Sequence, residues 1–260
     1  MAVLEALLFD VDGTLANTEK DGHRVAFNRA FAEAELAWDW SPQLYGRLLS
    51  VTGGKERIAY FLRTELPDFR FTGDAETEIA NLHRLKTRHY TRMLAEGSIP
   101  LRPGVERLLR ESRDAGLRLA VATTTTPANV EALLVHTIGA EAMGWFEVIA
   151  AGDIVPHKKP APDIYQWAMQ QMGLQPEQCL AFEDSENGVH AVRDSGLRSL
   201  VVTTNEYTLD HDFTGATMVL DQLGEPGTPC RVIAGNTGPG DGYVDVPWLR
   251  LVHEQAWQSA

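Results

Sequence analysis

Short apolar runs recur along the chain, and each stops at a polar or turn-forming residue. Ala6-Leu7-Leu8-Phe9 ends in Asp10-Val11-Asp12-Gly13, and similar runs fall at residues 119–122, 148–151, 179–182, 200–202 and 218–220. Such runs predict buried strands. Helical stretches are predicted between most of them. Residues 103–115 would start with Pro103 in the first turn and stop before Gly116. Residues 127–138 and 162–172 follow Thr126 and Ala161, each with a proline near its start, and 187–195 stop before Gly196. Alternation of strand and helix predicts an α/β fold with a parallel sheet covered on both faces.

Residues 16–95 break that alternation. Ala26, Phe27, Ala30, Phe31 and Ala34 fall at helical spacing, as do Ile79, Leu82, His83, Lys86, Tyr90 and Met93. No buried strand is legible there, so a helical module is expected to be inserted after the first strand. Residues 224–242 hold six Gly and three Pro, which predicts an irregular loop. A short helix is expected near 249–258.

Composition narrows the class. A chain of 260 residues fits one large domain or a core with a smaller partner. With 44% hydrophobic and 23% charged residues it has the balance of a folded globular protein. Its apolar runs are far below the roughly 20 residues of a membrane helix. No basic flank precedes the first run and Asp10 interrupts it, so no secretory signal is expected. Cys179 and Cys230 are read as reduced thiols, and the compartment as cytoplasmic. A net charge of −13 argues against nucleic-acid binding. Residues 16–95 nearly balance, with 12 Lys/Arg against 11 Asp/Glu, so the acidity lies elsewhere. That segment can receive an anion which the remainder would repel unless a cation intervenes.

Candidate chemistry sits where the predicted strands end. Asp10 and Asp12 are two apart, so in extended backbone both carboxylates face one crevice. Asp10 could attack an electrophile while Asp12 moves the proton; an Asp-rich turn around Gly13 is the plainer reading. Thr123 could hold an anionic oxygen, although the 123–126 threonines also suit a helix cap. Lys158-Lys159-Pro160 puts a cation on a stiff backbone, or is a solvated loop. Glu183-Asp184, with Asp10 and the Asp12 carbonyl, offers oxygen ligands for Mg²⁺, with Ser185 and Asn187 as orienting groups or as helix caps.

The order of these segments resembles the haloacid-dehalogenase-like hydrolases over nearly residues 4–205. Asp-Val-Asp-Gly-Thr (10–14), Thr123, Lys159 and Glu183-Asp184 look like their four motifs. The resemblance implies a Rossmann-like core of residues 1–15 and 96–260, a helical cap of residues 16–95, and Mg²⁺-dependent phosphoryl transfer through an aspartyl-phosphate. Catalytic roles are expected of Asp10, Asp12, Thr123 and Lys159, with Lys158 as the fallback lysine, and metal contacts of Asp10, Asp12, Glu183 and Asp184. Trp40, Tyr45, Thr52-Gly-Gly-Lys-Glu-Arg57, residues 86–90, 122–125 and 158–165 are similar to the CbbY subgroup. Its members remove the 1-phosphate of xylulose-1,5-bisphosphate, a misfire product that inhibits Rubisco in carbon fixation. On that reading the substrate is a small phosphosugar. Glu19 and His23, sharing a helix face, would meet sugar hydroxyls. Arg24, Lys55, Arg57 and Lys86 would meet a distal phosphate, and Thr124 is expected among the substrate-binding residues. A monomer or weak homodimer is expected, with no nucleic acid or membrane partner. A β-phosphoglucomutase-like mutase and a phosphoglycolate-type phosphatase are the alternatives.

Overall fold

The computed structural model describes residues 2–258, the side chains of residues 20 and 21 excepted. Seven strands form one sheet: β1 (Ala6–Phe9), β2 (Arg118–Thr123), β3 (Val148–Ala151), β4 (Cys179–Glu183), β5 (Ser199–Thr203), β6 (Met218–Leu220) and β7 (Val232–Ala234). Their spatial order is β3-β2-β1-β4-β5-β6-β7, parallel throughout except for the β6–β7 pair. The helices are α1 (Arg24–Glu33), α2 (Pro42–Leu48), α3 (Gly54–Glu65), α4 (Ala75–Ala95), α5 (Val105–Asp114), α6 (Pro127–Thr137), α7 (Asp163–Met172), α8 (Glu186–Asp194) and α9 (Val246–Gln258).

The apolar runs form strands because each residue finds cover on one face or the other. Leu7, Phe9, Val121 and Phe182 point to the side of α5, α6 and α9, where Leu108, Leu133 and Leu249 meet them. Ala6, Leu8, Ala120 and Ala181 point to the opposite side, against Ile164, Tyr165 and Ala168 of α7 and Val189 and Val192 of α8. That is period-two alternation in central strands covered on both faces. Leu8 is fully buried, so truncating it to Ala would cost about 2–5 kcal/mol.

Strand order places the site. β1 lies between β2 and β4, so the chain winds outward in opposite senses from it, and the crevice at the carboxyl ends of these three strands is the switch point of the sheet.

Helices α1 to α4 follow β1 and pack on their own aromatic cluster. Trp40 is its centre, with ring centroids 4.6 Å from Phe27 and 4.9 Å from Phe31. The insert leaves and returns side by side, through an antiparallel bridge between Ala16 and Leu101.

Several boundaries differ from the sequence reading. α5 starts at Val105, because Gly104 takes a left-handed conformation at its N-cap (φ +87°) and Pro103 stays outside the helix. Ser185 caps α8, which begins at Glu186, and α9 starts earlier, at Val246. The 224–242 segment is not wholly irregular: β7 pairs with β6 there. α2 and α3 were not legible as separate helices. Both cysteines are free thiols. Among the described residues no helix is long and apolar enough to cross a membrane.

Candidate active site

Asp10 directly follows β1, Thr123 ends β2, and Glu183 ends β4 with Asp184 next to it. The Asp10 amide donates to the Phe182 carbonyl at 3.0 Å, so pairing with β4 continues one residue past the strand and fixes where the carboxylate begins. These side chains line a cavity of about 360 Å³ between the sheet and the helical insert.

At its floor, Lys159 Nζ donates to Asp10 Oδ1 at 2.7 Å and to Glu183 Oε1 at 2.5 Å. Tyr165 also donates to Glu183, which is wholly buried. Glu183 therefore serves first as the anchor of Lys159. Of the adjacent pair, Lys159 is the lysine that enters the cavity; Lys158 points away, to Glu56 (2.9 Å) and Asp153 (3.0 Å). The cation is held charged: burial opposes this, but Asp10 and Glu183 outweigh it and raise its pKa.

One lysine does not balance the acids. Ligand oxygens of Asp10, Glu183 and Asp184 all come within 4.8 Å of one another. Burial first, then neighbouring Glu183 and Asp12, push Asp10 up to about 8 against the pull of Lys159. Asp184 is raised as well, by burial and then by Asp10 and Glu183. Excess negative charge on hard oxygen donors suits a divalent cation of the Mg²⁺ type, whose arrival would restore both carboxylates to the ionised form. Asn205 Nδ2 donates to Asp184 Oδ2 at 2.7 Å and orients it. Gly13, at φ +86°, lies so close that a Cβ there would overlap the Asp184 carboxylate.

Asp12 faces the insert. Thr18 Oγ1 donates to its Oδ1 at 2.6 Å, and His23 Nε2 lies 2.7 Å from the same oxygen. Burial alone would raise Asp12; His23, Thr18 and Lys86 together hold it below the usual carboxylate range. Lys86 Nζ sits 2.6 Å from His23 Nδ1, so a charged Lys86 fixes His23 with its proton on Nε2, toward Asp12. Burial pulls Lys86 down to about 8 against Asp12 and Glu19. His23 was expected to meet a sugar hydroxyl; instead both ring nitrogens are spent on Asp12 and Lys86.

Thr123, Thr124 and Thr125 form the third wall. Thr123 Oγ1 accepts from the Thr125 amide at 3.3 Å, and Thr126 caps α6. The helix-cap reading of this run thus falls to Thr126, while Thr123 lines the cavity. Glu19 and Arg57 line the far end. Arg57 donates to the Tyr45 hydroxyl at 2.8 Å and lies 3.8 Å from Glu19, while its buried Nε has no partner among the described residues. Arg24 and Lys55 do not line the cavity: Arg24 donates to the Trp40 carbonyl at 3.2 Å, and Lys55 pairs with Asp153 at 2.6 Å. Asn187 also departs from its expected role, donating to Thr52 Oγ1 of the insert at 3.1 Å. Sequence reasoning missed Thr18, His83 and Asn205. Only Asn205 carried a signal, since it follows the end of a predicted strand.

Residues 4–196 match the family described as haloacid dehalogenase-like hydrolase. The chain belongs to this family. Within the haloacid dehalogenase-like hydrolases it is 46% identical over 250 residues to protein CbbY of Cupriavidus necator, covering 96% of this chain and 97% of that one. It is 34% identical to the fructose-1-phosphate phosphatase YqaB of Escherichia coli, over 75% of this chain and 95% of the other. Among solved structures it is similar to a CbbY variant from Rhodobacter sphaeroides in complex with xylulose-1,5-bisphosphate (TM-score 0.79, 48% identity, covering 86% of this chain and 97% of that one). The chain is thus a phosphatase of the haloacid dehalogenase type, with its carboxylate cluster at the switch point of the sheet.

Proposed function

We propose that the enzyme removes one phosphate from a small sugar bisphosphate, xylulose-1,5-bisphosphate being the first candidate, with residues 16–95 as a cap over the core. The observation that carries this is a single cavity with charge at both ends: Asp10, Lys159 and Asp184 on the core side, Arg57 and Lys86 on the insert side. A bisphosphate needs cationic contacts at each end. The CbbY structure with xylulose-1,5-bisphosphate supports the choice of sugar.

Asp10 and Asp184, with the Asp12 carbonyl, would hold Mg²⁺, which supplies positive charge to the phosphoryl oxygens. Asp10 attacks phosphorus in line and becomes an aspartyl-phosphate. Lys159 and the Thr123–Thr125 wall hold the equatorial oxygens, and positioning and charge neutralisation supply most of the rate. Asp12 passes a proton to the departing sugar oxygen and later takes one from the attacking water, with His23 and Thr18 fixing its Oδ1 throughout. Arg57 meets the distal phosphate and Glu19 a sugar hydroxyl. Thr52, Gly53 and Gly54 of the insert close over the site and exclude bulk water.

The test is a panel of sugar mono- and bisphosphates with Mg²⁺, scored for free phosphate and for isomerised sugar phosphate. Phosphate release highest on xylulose-1,5-bisphosphate is the expected result. Isomerisation without net phosphate release would replace the phosphatase with a mutase. Arg57→Ala should raise KM for the bisphosphate at least about tenfold more than for a monophosphate, the scale of one lost charge-assisted contact; equal effects would remove Arg57 from the distal site.

A further inference from the structure

Arg102 stands in no motif, yet it is 6% exposed and lies one residue beyond the point where the insert returns to the core. Its backbone amide donates to the Leu15 carbonyl at 2.8 Å. Its guanidinium touches three separate segments, always at carbonyl oxygens. Nη1 donates to Gly13 and, at 3.3 Å, to Thr203. Nη2 donates to Thr204 and Asp221, each at 2.6 Å. Among the described residues no carboxylate forms an ion pair with it. A buried cation without a paired anion is costly to desolvate, and fold stability alone could be met by neutral donors.

What the guanidinium grips explains its presence. Gly13 and Asn205 both press on Asp184: a Cβ on Gly13 would overlap its carboxylate, and Asn205 donates to its Oδ2 at 2.7 Å. Arg102 bonds the carbonyl of Gly13 itself and the carbonyl of Thr204, which is the peptide oxygen immediately before Asn205. The Gly13 carbonyl is in turn one peptide away from the Asp12 carbonyl. We propose that Arg102 is a positioning residue for the cation end of the site, clamping the Gly13–Thr14 and Thr204–Asn205 peptides so that Asp184 is presented in one orientation. This rests on the reading above, in which Asp10 and Asp184 hold a divalent cation. Only a planar fork with fixed donors spans three segments at once; a lysine at the same place keeps the charge and loses the span.

The experiment measures Mn²⁺ affinity by titration calorimetry on the full, phosphate-free protein, without substrate, alongside kcat, KM and Tm. Arg102→Gln should weaken Mn²⁺ binding about tenfold, the scale of other groups that orient metal ligands, and lower kcat with KM changed less than about twofold. Arg107→Gln is the control: Arg107 lies on α5, five residues after Arg102, and binds Glu111 of that helix and Glu225 and the Gly224 carbonyl of the tail, so its loss should lower Tm without moving Mn²⁺ affinity. Should Arg102→Gln fail to fold, Arg102→Lys carries the comparison, with an expected weakening of at least about threefold. Asn205→Ala combined with either Arg102 variant should add less than about twofold, since both act through Asp184. Mn²⁺ affinity within about twofold of the parent in the Arg102 variants, with only Tm reduced, overturns the proposal while leaving the phosphatase reading intact. A parent that binds no divalent cation overturns both, and turnover on the phosphosugar panel is scored separately.

Discussion

At Asp12, two donors share one carboxylate oxygen, Thr18 at 2.6 Å and His23 at 2.7 Å, and the mechanism proposed above assigns Oδ2 to substrate. Asp12→Asn keeps the size and loses the proton transfer, so kcat should fall about 10²- to 10⁴-fold with the far-ultraviolet dichroism spectrum unchanged. Asp10→Asn should abolish turnover outright; residual activity above a few per cent of the parent's would remove Asp10 as the nucleophile. His83 gives a separate readout. Burial, then Lys86, Lys55, Lys158 and His23, lower its pKa from 6.5 to about 3. The unfolded chain therefore binds a proton at this ring between pH 6.5 and about 3 that the folded chain does not, so stability falls as pH drops through that window. His83→Asn should flatten Tm against pH there, and a parallel pair of curves would show that the ring does not titrate as described. Asp10, Thr123 and Asp184 were legible in the sequence because each ends or follows a strand run, where the sheet dictates direction, whereas Lys159, eight residues past β3, was preferred to Lys158 through the family resemblance. His23 was misread, and Thr18 and Arg102 went unread, because their roles arise from partners 6 to 119 residues away that no local pattern reports.

The first turn of α3 meets the loop after β3 in an alternating set of charges. Lys55 pairs with Asp153, and Lys158 bridges Asp153 and Glu56. Hydrogen bonds from Lys55 and then Lys158 hold Asp153 down to about 2. Each pair is partly exposed and worth little by itself, about 0–1 kcal/mol, and salt weakens it. They nevertheless join the insert to the core at the mouth of the cavity, beside the Asn187–Thr52 bond. Raising ionic strength from about 0.05 to 0.5 M should therefore raise KM about two- to threefold, and Asp153→Asn should remove most of that salt response while sparing kcat. Lys55 drew attention in the sequence as a phosphate ligand because an isolated cation looks the same whether its anion is substrate or a carboxylate 98 residues on. Among elements, α1 and α4 were legible because long amphipathic spacing survives without context. β7 was not: Val232–Ala234 is exposed at the sheet edge, so it shows no buried alternation amid its glycines and prolines.

For the whole molecule, the α/β alternation was readable because the central strands are buried on both faces, which forces continuous apolar runs. The net charge of −13 and the acidic cluster make cation binding a stability matter as well as a catalytic one. Chelation with EDTA should abolish activity, and Mg²⁺ at 100 times its Kd should restore it and add about 2.7 kcal/mol of stability, read as a rise in Tm. An unchanged Tm with restored activity would place the ion on substrate rather than on the free protein. The paired linkers at Ala16 and Leu101 have a further consequence. A segment whose two ends lie next to each other can be exchanged for another of any length without disturbing the sheet beneath. A graft joining residues 16 and 101 through a short turn should leave the parallel scaffold standing, with its nucleophile open to water and its choice of sugar gone. On the function proposed above, the choice of sugar belongs to the insert and the nucleophile to the scaffold, and the two meet at Asp12, whose Thr18 and His23 partners would leave with the graft.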